Sequence, residues 1–313
     1  MTNYLVTGGA GFIGSHIVGA LLQQGGFVRV LDNFSTGKWE NVTPLVNSRQ
    51  AEIIEGDIRD PETVARAMQD IEYVFHEAAF VSVPQSMEDP LPCFDINQRG
   101  TEIVLEAARK AGVRRVVLAS SAAVYGDSDA LPLAEESPLR PLSPYAVSKR
   151  VDELYAELYT RSFGLEVVAL RYFNVYGPRQ RPDSMYAAAV PIFTRRLLDG
   201  KSVTIYGDGG QTRDLVYVGD VVRANLLASQ HPAAPGQVFN VCTGQELRVI
   251  DLVETLMRLF PHAPAPQFAP PRAGDIYRSV GNPHKAAEWL GFRAQTPLEE
   301  GLQAVVEHMR NAY

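Results

Sequence analysis

Tyr145-Ala146-Val147-Ser148-Lys149 sets a phenol and an ammonium four residues apart. On a helix the two fall one turn apart on the same face. A phenol with an ordinary pKa of about ten is a poor base at neutral pH. A neighbouring cation favours the phenolate and turns it into a proton acceptor for an alcohol. Tyr-x-x-x-Lys also arises by chance, as a packed tyrosine beside a surface lysine. The pair gains weight from Ser120-Ser121, which closes the apolar run Val116-Val117-Leu118-Ala119 and can hydrogen-bond a substrate oxygen. Tyr145 and Lys149, with a serine of the Ser120-Ser121 pair, are therefore the candidate catalytic set, for proton transfer at a substrate oxygen.

Such chemistry needs a partner for the electrons, and the N-terminus provides for one. Tyr4-Leu5-Val6-Thr7 reads as a strand, Gly8-Gly9-Ala10-Gly11-Phe12-Ile13-Gly14 as a glycine turn, and 16–24 as a helix stopped by Gly25-Gly26. Strand, glycine turn and helix form the dinucleotide-binding context. Glycine lets the chain bend tightly, approach a pyrophosphate and pack the helix on the strand. The first helical N–H groups then face the phosphates. A second strand, Phe27–Leu31, closes on Asp32, 18 residues beyond Gly14. An acid there accepts from adenosine ribose hydroxyls and repels a 2′-phosphate, so NAD is expected rather than NADP. Asp57, in Gly56-Asp57-Ile58 after strand 51–55, is placed to meet the adenine amino group. Ala78 and Ala79 end the strand Tyr73–His76 and leave room for a cofactor.

Helices are expected at 60–69, 95–111 and 145–162, with further strands at 116–119 and 167–170. The alternation predicts an α/β fold, a doubly wound parallel Rossmann sheet with its strand ends on one edge. Residues 1–177 form the expected NAD-binding domain. Residues 178–313 form a smaller, discontinuous C-terminal α/β substrate domain, with 214–240 returning to the main sheet. Helices are expected at 190–199, 220–229, 250–260, 283–290 and 297–311, and a strand at 203–206. The proline-rich stretch 261–271 reads as a loop.

The chain has 313 residues, 46% apolar and 21% charged, with net charge −7. This is ordinary for a globular protein and argues against nucleic acid or an anionic membrane as partner. Cys93 and Cys242 match no metal or redox spacing, and the six histidines stand singly, so no metal site is expected. No apolar run reaches membrane-spanning length and no signal peptide is apparent, so a cytoplasmic setting is expected.

Over nearly its whole length the sequence resembles the extended short-chain dehydrogenase/reductases, and within them the nucleotide-sugar 4-epimerases. The resemblance rests on Thr7–Gly14, Leu31-Asp32-Asn33, Gly56-Asp57-Ile58, His76-Glu77-Ala78-Ala79 and Asn97. It continues through Ser120–Gly126, Tyr145–Lys149, Arg171–Gly177 and Arg213-Asp214. It implies tightly bound NAD, a UDP-sugar substrate and a homodimer in which helices 95–111 and 145–162 pack across a two-fold axis. It implies cofactor contacts from Gly8, Gly11, Phe12, Ile13, Gly14, Asp32, Asn33, Thr36, Gly37, Asp57, Ile58, Ala78, Ala79, Asn97, Tyr145, Lys149 and Phe173. For the substrate it implies Ser121, Tyr145, Asn174, Ala189, Tyr206, Arg213, Arg272, Asp275 and Ser279. Guanidinium forks suit a diphosphate in an otherwise acidic protein, which is consistent with Arg213 and Arg272 there, although either arginine taken alone reads as a surface charge.

The implied reaction is a hydride transfer that reverses itself. Tyr145 takes the 4-hydroxyl proton, C4 gives hydride to NAD, the 4-keto sugar turns over, and hydride returns to the other face. Dehydratases and decarboxylases of the family carry acids just after the strand-end serine or threonine; here Ala122 and Ala123 stand there. The small Ser279 aligns where a tyrosine restricts relatives to UDP-glucose and UDP-galactose, and 185–191 resembles the N-acetylhexosamine-accepting branch. UDP-Glc/UDP-Gal and UDP-GlcNAc/UDP-GalNAc are the expected substrates. A UDP-glucuronate 4-epimerase or decarboxylase is the alternative, and a non-catalytic NAD-binding sensor a more distant one.

Overall fold

The computed structural model describes residues 1–46, 49–182, 188–271 and 276–312. The N-terminal half alternates as β1 (Asn3–Thr7), α1 (Phe12–Gln23), β2 (Phe27–Asp32), α2 (Trp39–Val46), β3 (Ala51–Glu55), α3 (Pro61–Ala67) and β4 (Tyr73–His76). Then come α4 (Val83–Glu88), α5 (Pro90–Cys93), a π-helical turn (Phe94–Arg99) running into α6 (Gly100–Ala111), and β5 (Arg115–Ser121). A 3₁₀ turn (Ala122–Tyr125) leads towards α7 (Pro144–Phe163), β6 (Glu166–Tyr172) and β7 (Asn174–Tyr176). The remainder is α8 (Ala189–Leu198), β8 (Thr204–Tyr206), β9 (Thr212–Arg213), β10 (Leu215–Tyr217), α9 (Val218–Gln230) and β11 (Val238–Val241). It finishes with β12 (Leu247–Arg248), α10 (Val249–Arg258), β13 (Gln267–Ala269), α11 (His284–Leu290) and α12 (Leu298–Ala312).

Among the described residues, seven parallel strands form the main sheet in the order β11-β6-β5-β4-β1-β2-β3. The order reverses between β1 and β4, the switch point where such sheets bind nucleotides. Alternate side chains explain the two layers. Val6, Val30, Phe75, Val117 and Leu170 face α1 and α9 in one apolar core. Leu5, Leu31, Val74, Leu118 and Ala169 face α3, α6 and α7 in another. Strands covered on both faces read as near-continuous apolar runs, as β5 does. Each fully buried Val, Leu or Phe contributes roughly 1.5–3 kcal/mol.

A further apolar cluster joins α8, α10 and α12 through Phe193, Leu197, Leu252, Leu256, Leu302 and Val306. Three strand pairs accompany it: β7 with β10, β8 with β13, and β9 with β12. Three expectations need correcting here. Leu215–Tyr217 does not enter the main sheet but pairs with Asn174–Tyr176. The return is made instead by α9, which packs on the first core, and by β11, which adds to β6. Nor is 261–271 wholly loop. Gln267–Ala269 forms a strand parallel to Thr204–Tyr206, with Pro266 and Pro270 just outside it. Proline tolerates that edge placement because it removes no ladder bond there. Helix α1 also begins at Phe12, because the glycine turn leads straight into its first turn. No described helix is long and apolar enough to cross a membrane.

Candidate active site

The glycine turn lies at the C-terminal edge of β1. Gly8 adopts φ +67° and donates its N–H to the Leu31 carbonyl at 2.8 Å. A Cβ on Gly8 would fall 2.6 Å from the Ala78 nitrogen, and one on Gly14 would fall 2.3 Å from the Gly8 oxygen. Glycine is thus demanded by contact at both places. Gly11 caps α1 without a side-chain hydrogen bond, and the first turn carries no acid. Among the described residues the N–H groups of Phe12, Ile13 and Gly14 have no acceptor. Such a helix start presents donors and a positive dipole end to an anion.

Asp32 closes β2, buried beside this turn. Its carboxylate accepts from Ala10 N at 2.9 Å and Phe34 N at 2.8 Å. Burial pushes its pKa up, against those two bonds. Gly37 lets the following loop lie against the carboxylate, since a Cβ there would come 2.9 Å from Oδ1. In the same loop Asn33 and Thr36 are exposed. The orphaned donors, the glycine cradle and the buried carboxylate fit a dinucleotide with a free ribose diol.

Asp57 is committed elsewhere. Arg59 grips it through both Nε and Nη2, and Asn33 Nδ2 donates to it at 2.9 Å. The Arg59 hydrogen bond holds its carboxyl well below the usual range, and Ile58 beside it is buried. Asn97, on the π-helical turn, has its amide engaged as well. Its Nδ2 donates to the Phe80 carbonyl at 3.0 Å and to Ser148 Oγ at 2.9 Å, and its Oδ1 accepts from Phe80 N at 2.7 Å. It therefore clamps the chain after β4, which contains Ala78 and Ala79, to helix α7.

Helix α7 begins at a Ser143 cap, whose hydroxyl accepts from Ala146 N, with Pro144 at its first position. Tyr145 follows, half-buried, its N–H donating to Ser86 Oγ at 3.2 Å. Lys149 is buried, and its Nζ donates to the Ala119 carbonyl at 2.9 Å and to Asp152 Oδ2 at 3.2 Å. Burial works against the ammonium, but the charges of Asp152 and Tyr145 prevail, and its pKa lies above the ordinary lysine value. Ser121 caps the 3₁₀ turn by accepting from Ala123 N at 3.2 Å.

A buried ion pair fixes α7 to the sheet. Arg171 on β6 binds Glu153 through Nε at 2.7 Å and Nη2 at 2.8 Å, and Ser120 donates to the same carboxylate at 2.7 Å. Removing one partner from such a pair costs roughly 3–5 kcal/mol. The sequence reading missed Asp152 and Glu153 as parts of this site. Their signal was positional, three and four residues after Lys149 on one helix.

Ser121 pairs in register with Tyr172 of β6. Just beyond, a cavity of about 490 Å³ is lined by Phe173, Asn174, Ala189, Tyr206, Gln211 and Arg213, among others. Ser279 is half-buried and is not among the described residues that line it. Asp214 ties the loops around it, accepting from Thr243 N, Gly244 N and Gly281 N. Arg272, Asp275 and 185–187 lie outside the described residues.

A Rossmann sheet, a dinucleotide cradle and a Tyr/Lys pair on one helix define a nucleotide-dependent enzyme of the extended short-chain dehydrogenase/reductase class. A sequence model described as "NAD dependent epimerase/dehydratase family" matches residues 4–242, and the chain belongs to that family. NAD is its cofactor. A UDP-glucose 4-epimerase from Mycolicibacterium smegmatis is 43% identical over 309 residues, covering 98% of each chain. The crystal structure of a Thermotoga maritima UDP-glucose 4-epimerase with UDP-glucose is similar at TM-score 0.93 and 42% identity, covering 99% of each chain. A UDP-N-acetylglucosamine 4-epimerase from Methanobrevibacter ruminantium, in complex with UDP-N-acetylmuramic acid, gives TM-score 0.95 at 37% identity, covering 100% of this chain and 99% of that one.

Proposed function

We propose that this enzyme inverts C4 of UDP-hexoses, acting on UDP-glucose/UDP-galactose and on the 2-acetamido pair UDP-GlcNAc/UDP-GalNAc. The observation that carries this reading is the crest of β5. Ser121 stands there beside the Tyr145/Lys149 helix, and Ala122 and Ala123 follow it where dehydration or decarboxylation would call for a carboxylate. The relatives named above support the UDP-sugar as substrate class.

NAD, held by Gly8, Gly11, Phe12, Ile13, Gly14 and Asp32, supplies a reversible two-electron acceptor at C4 when bound. Ser121 positions the C4 hydroxyl, and Tyr145 takes its proton and later returns it. Lys149 would hold the nicotinamide ribose. Asn174 and Arg213 hold the nucleotide diphosphate end in the cavity beyond Phe173, with Arg272 and Asp275 assigned to the same end. Firm contacts at the diphosphate and weak ones at the sugar let the oxidised ring turn over without leaving. In this reading Asn97 and Asp57 shape the cofactor groove through Phe80, Ser148 and Arg59. Ser279 leaves space for a 2-acetamido group.

The test is product analysis by NMR after separate incubation with UDP-glucose, UDP-GlcNAc and UDP-glucuronate, without added NAD. UDP-galactose and UDP-GalNAc are expected. An inverted or decarboxylated uronate as the main product would overturn the substrate assignment. In the same assay Ser279→Tyr should suppress the acetylated pair alone; equal turnover of both pairs would remove the size gate.

We also propose a homodimer. Met87, Leu91, Phe94, Leu142 and Val147 form an exposed apolar surface from α4, α5, the π-helical turn, the loop before α7 and α7 itself, which a second copy would cover. A monomer in sedimentation velocity would contradict this.

A further inference from the structure

Lys149 is a buried ammonium with three N–H donors. One goes to the Ala119 carbonyl and one to Asp152 Oδ2, which leaves one for the site. Asp152 is fully buried on α7, one turn beyond Lys149 and on the face that carries Tyr145. Thr101 of α6 hydrogen-bonds that carboxylate, which favours its ionised form, and its hydroxyl also meets His76 Nε2 at 3.0 Å. A carboxylate this deeply buried is costly unless it is paired, and the cation that pairs it here is Lys149 at 3.2 Å.

We propose that Asp152 is a positioning residue for the reaction: it is the contact counter-charge that keeps Lys149 protonated and aims its third N–H at the cofactor and Tyr145. The proposal rests on Tyr145 and Lys149 as the working pair. The other groups that face the ammonium do not replace Asp152. From the end of β4, His76 is lowered by burial to about 3 and stays neutral, and Glu77 is raised by burial to about 7 while accepting from Tyr172 at 2.7 Å. From α5, burial raises the Cys93 thiol, which keeps it neutral. On α7 itself Glu153 is taken by Arg171 and Arg150, and the Tyr155 hydroxyl is raised by burial. Asp152 is itself pushed up to about 6 by burial, against the pull of Lys149. It is therefore ionised above that pH, where Lys149 needs it.

Asp152→Asn keeps the shape and removes the charge. An ammonium that loses its contact anion gives up its proton more readily, by roughly one pH unit or more for a contact pair at an effective dielectric near 20. Two readouts are expected to move together in the holoenzyme. The pH above which bound NAD is released should fall by about one unit, and, because the third N–H is no longer aimed although Lys149 stays protonated, kcat at neutral pH should drop at least tenfold with KM within threefold. A purely structural role would lower the melting temperature without moving the NAD-release pH, and that result overturns the proposal. A second measurement needs no Asp152 variant. In ¹⁵N-lysine-labelled holoenzyme, the Nζ resonance missing from Lys149→Arg should titrate above the ordinary lysine range; titration below it also overturns the proposal. Tyr145→Phe is the control for the underlying reading. Wild-type turnover in that variant would remove the catalytic role of the pair, while the NAD-release and ¹⁵N arms would still decide the role of Asp152.

Discussion

The cofactor half and the substrate half of this site are built by different means. Around the glycine turn, the cradle proposed for NAD is built from backbone: donors at the start of α1, a Gly8 whose φ and contacts admit no side chain, and a carboxylate held by two main-chain N–H groups. Beyond β6, the cavity of about 490 Å³ proposed above for the substrate is lined by side chains, with Asn174, Tyr206 and Arg213 on three different strands. Main-chain geometry tolerates almost no substitution where backbones touch. A side-chain-lined cavity can exchange one contact for another and change its preference without losing its shape.

That contrast can be broken from either side. The largest effect is expected from Gly14→Ala. Its methyl would come 2.3 Å from the Gly8 oxygen, so the turn must move. Strain of this kind costs roughly 1–3 kcal/mol, and the NAD content of purified protein should fall below about a tenth of wild type. Full NAD content, measured in the supernatant of denatured enzyme, would show that the turn is more adaptable than its contacts suggest. A smaller effect is expected from Arg213→Ala. Loss of a charge-assisted hydrogen bond of about 1.5–3 kcal/mol should raise KM by roughly ten- to a hundredfold, with NAD content unchanged and kcat within a few-fold. A fall in kcat with KM unchanged would place Arg213 at the reacting carbon instead of the diphosphate.

The same contrast explains what could be read from the sequence. The alternating elements, Gly8–Gly14, Asp32 and the Tyr145/Lys149 spacing were legible because each follows from a local rule: period, turn chemistry or one helical face. The pairing of Leu215–Tyr217 with β7 was not, because a three-residue strand carries no signal for which sheet it joins. Gln267–Ala269 was hidden by the prolines around it, which mark a loop unless an edge neighbour such as β8 is known. Asp57 and Asn97 matched cofactor positions by type, but their partners Arg59, Phe80 and Ser148 became visible only in three dimensions. Asp152 followed Lys149 at a helical spacing, yet the burial that makes it the contact anion of Lys149 depends on the packing of α6 and β4 around it.

The central claim is that oxidation and reduction at the sugar C4 take place within one site without exchange. UDP-glucose deuterated at C4, incubated with the enzyme and no added NAD, tests it most directly. The account predicts UDP-galactose that retains the deuterium at C4, with none appearing in solvent or at another carbon. Deuterium washed out to water, or found at C5, would contradict it.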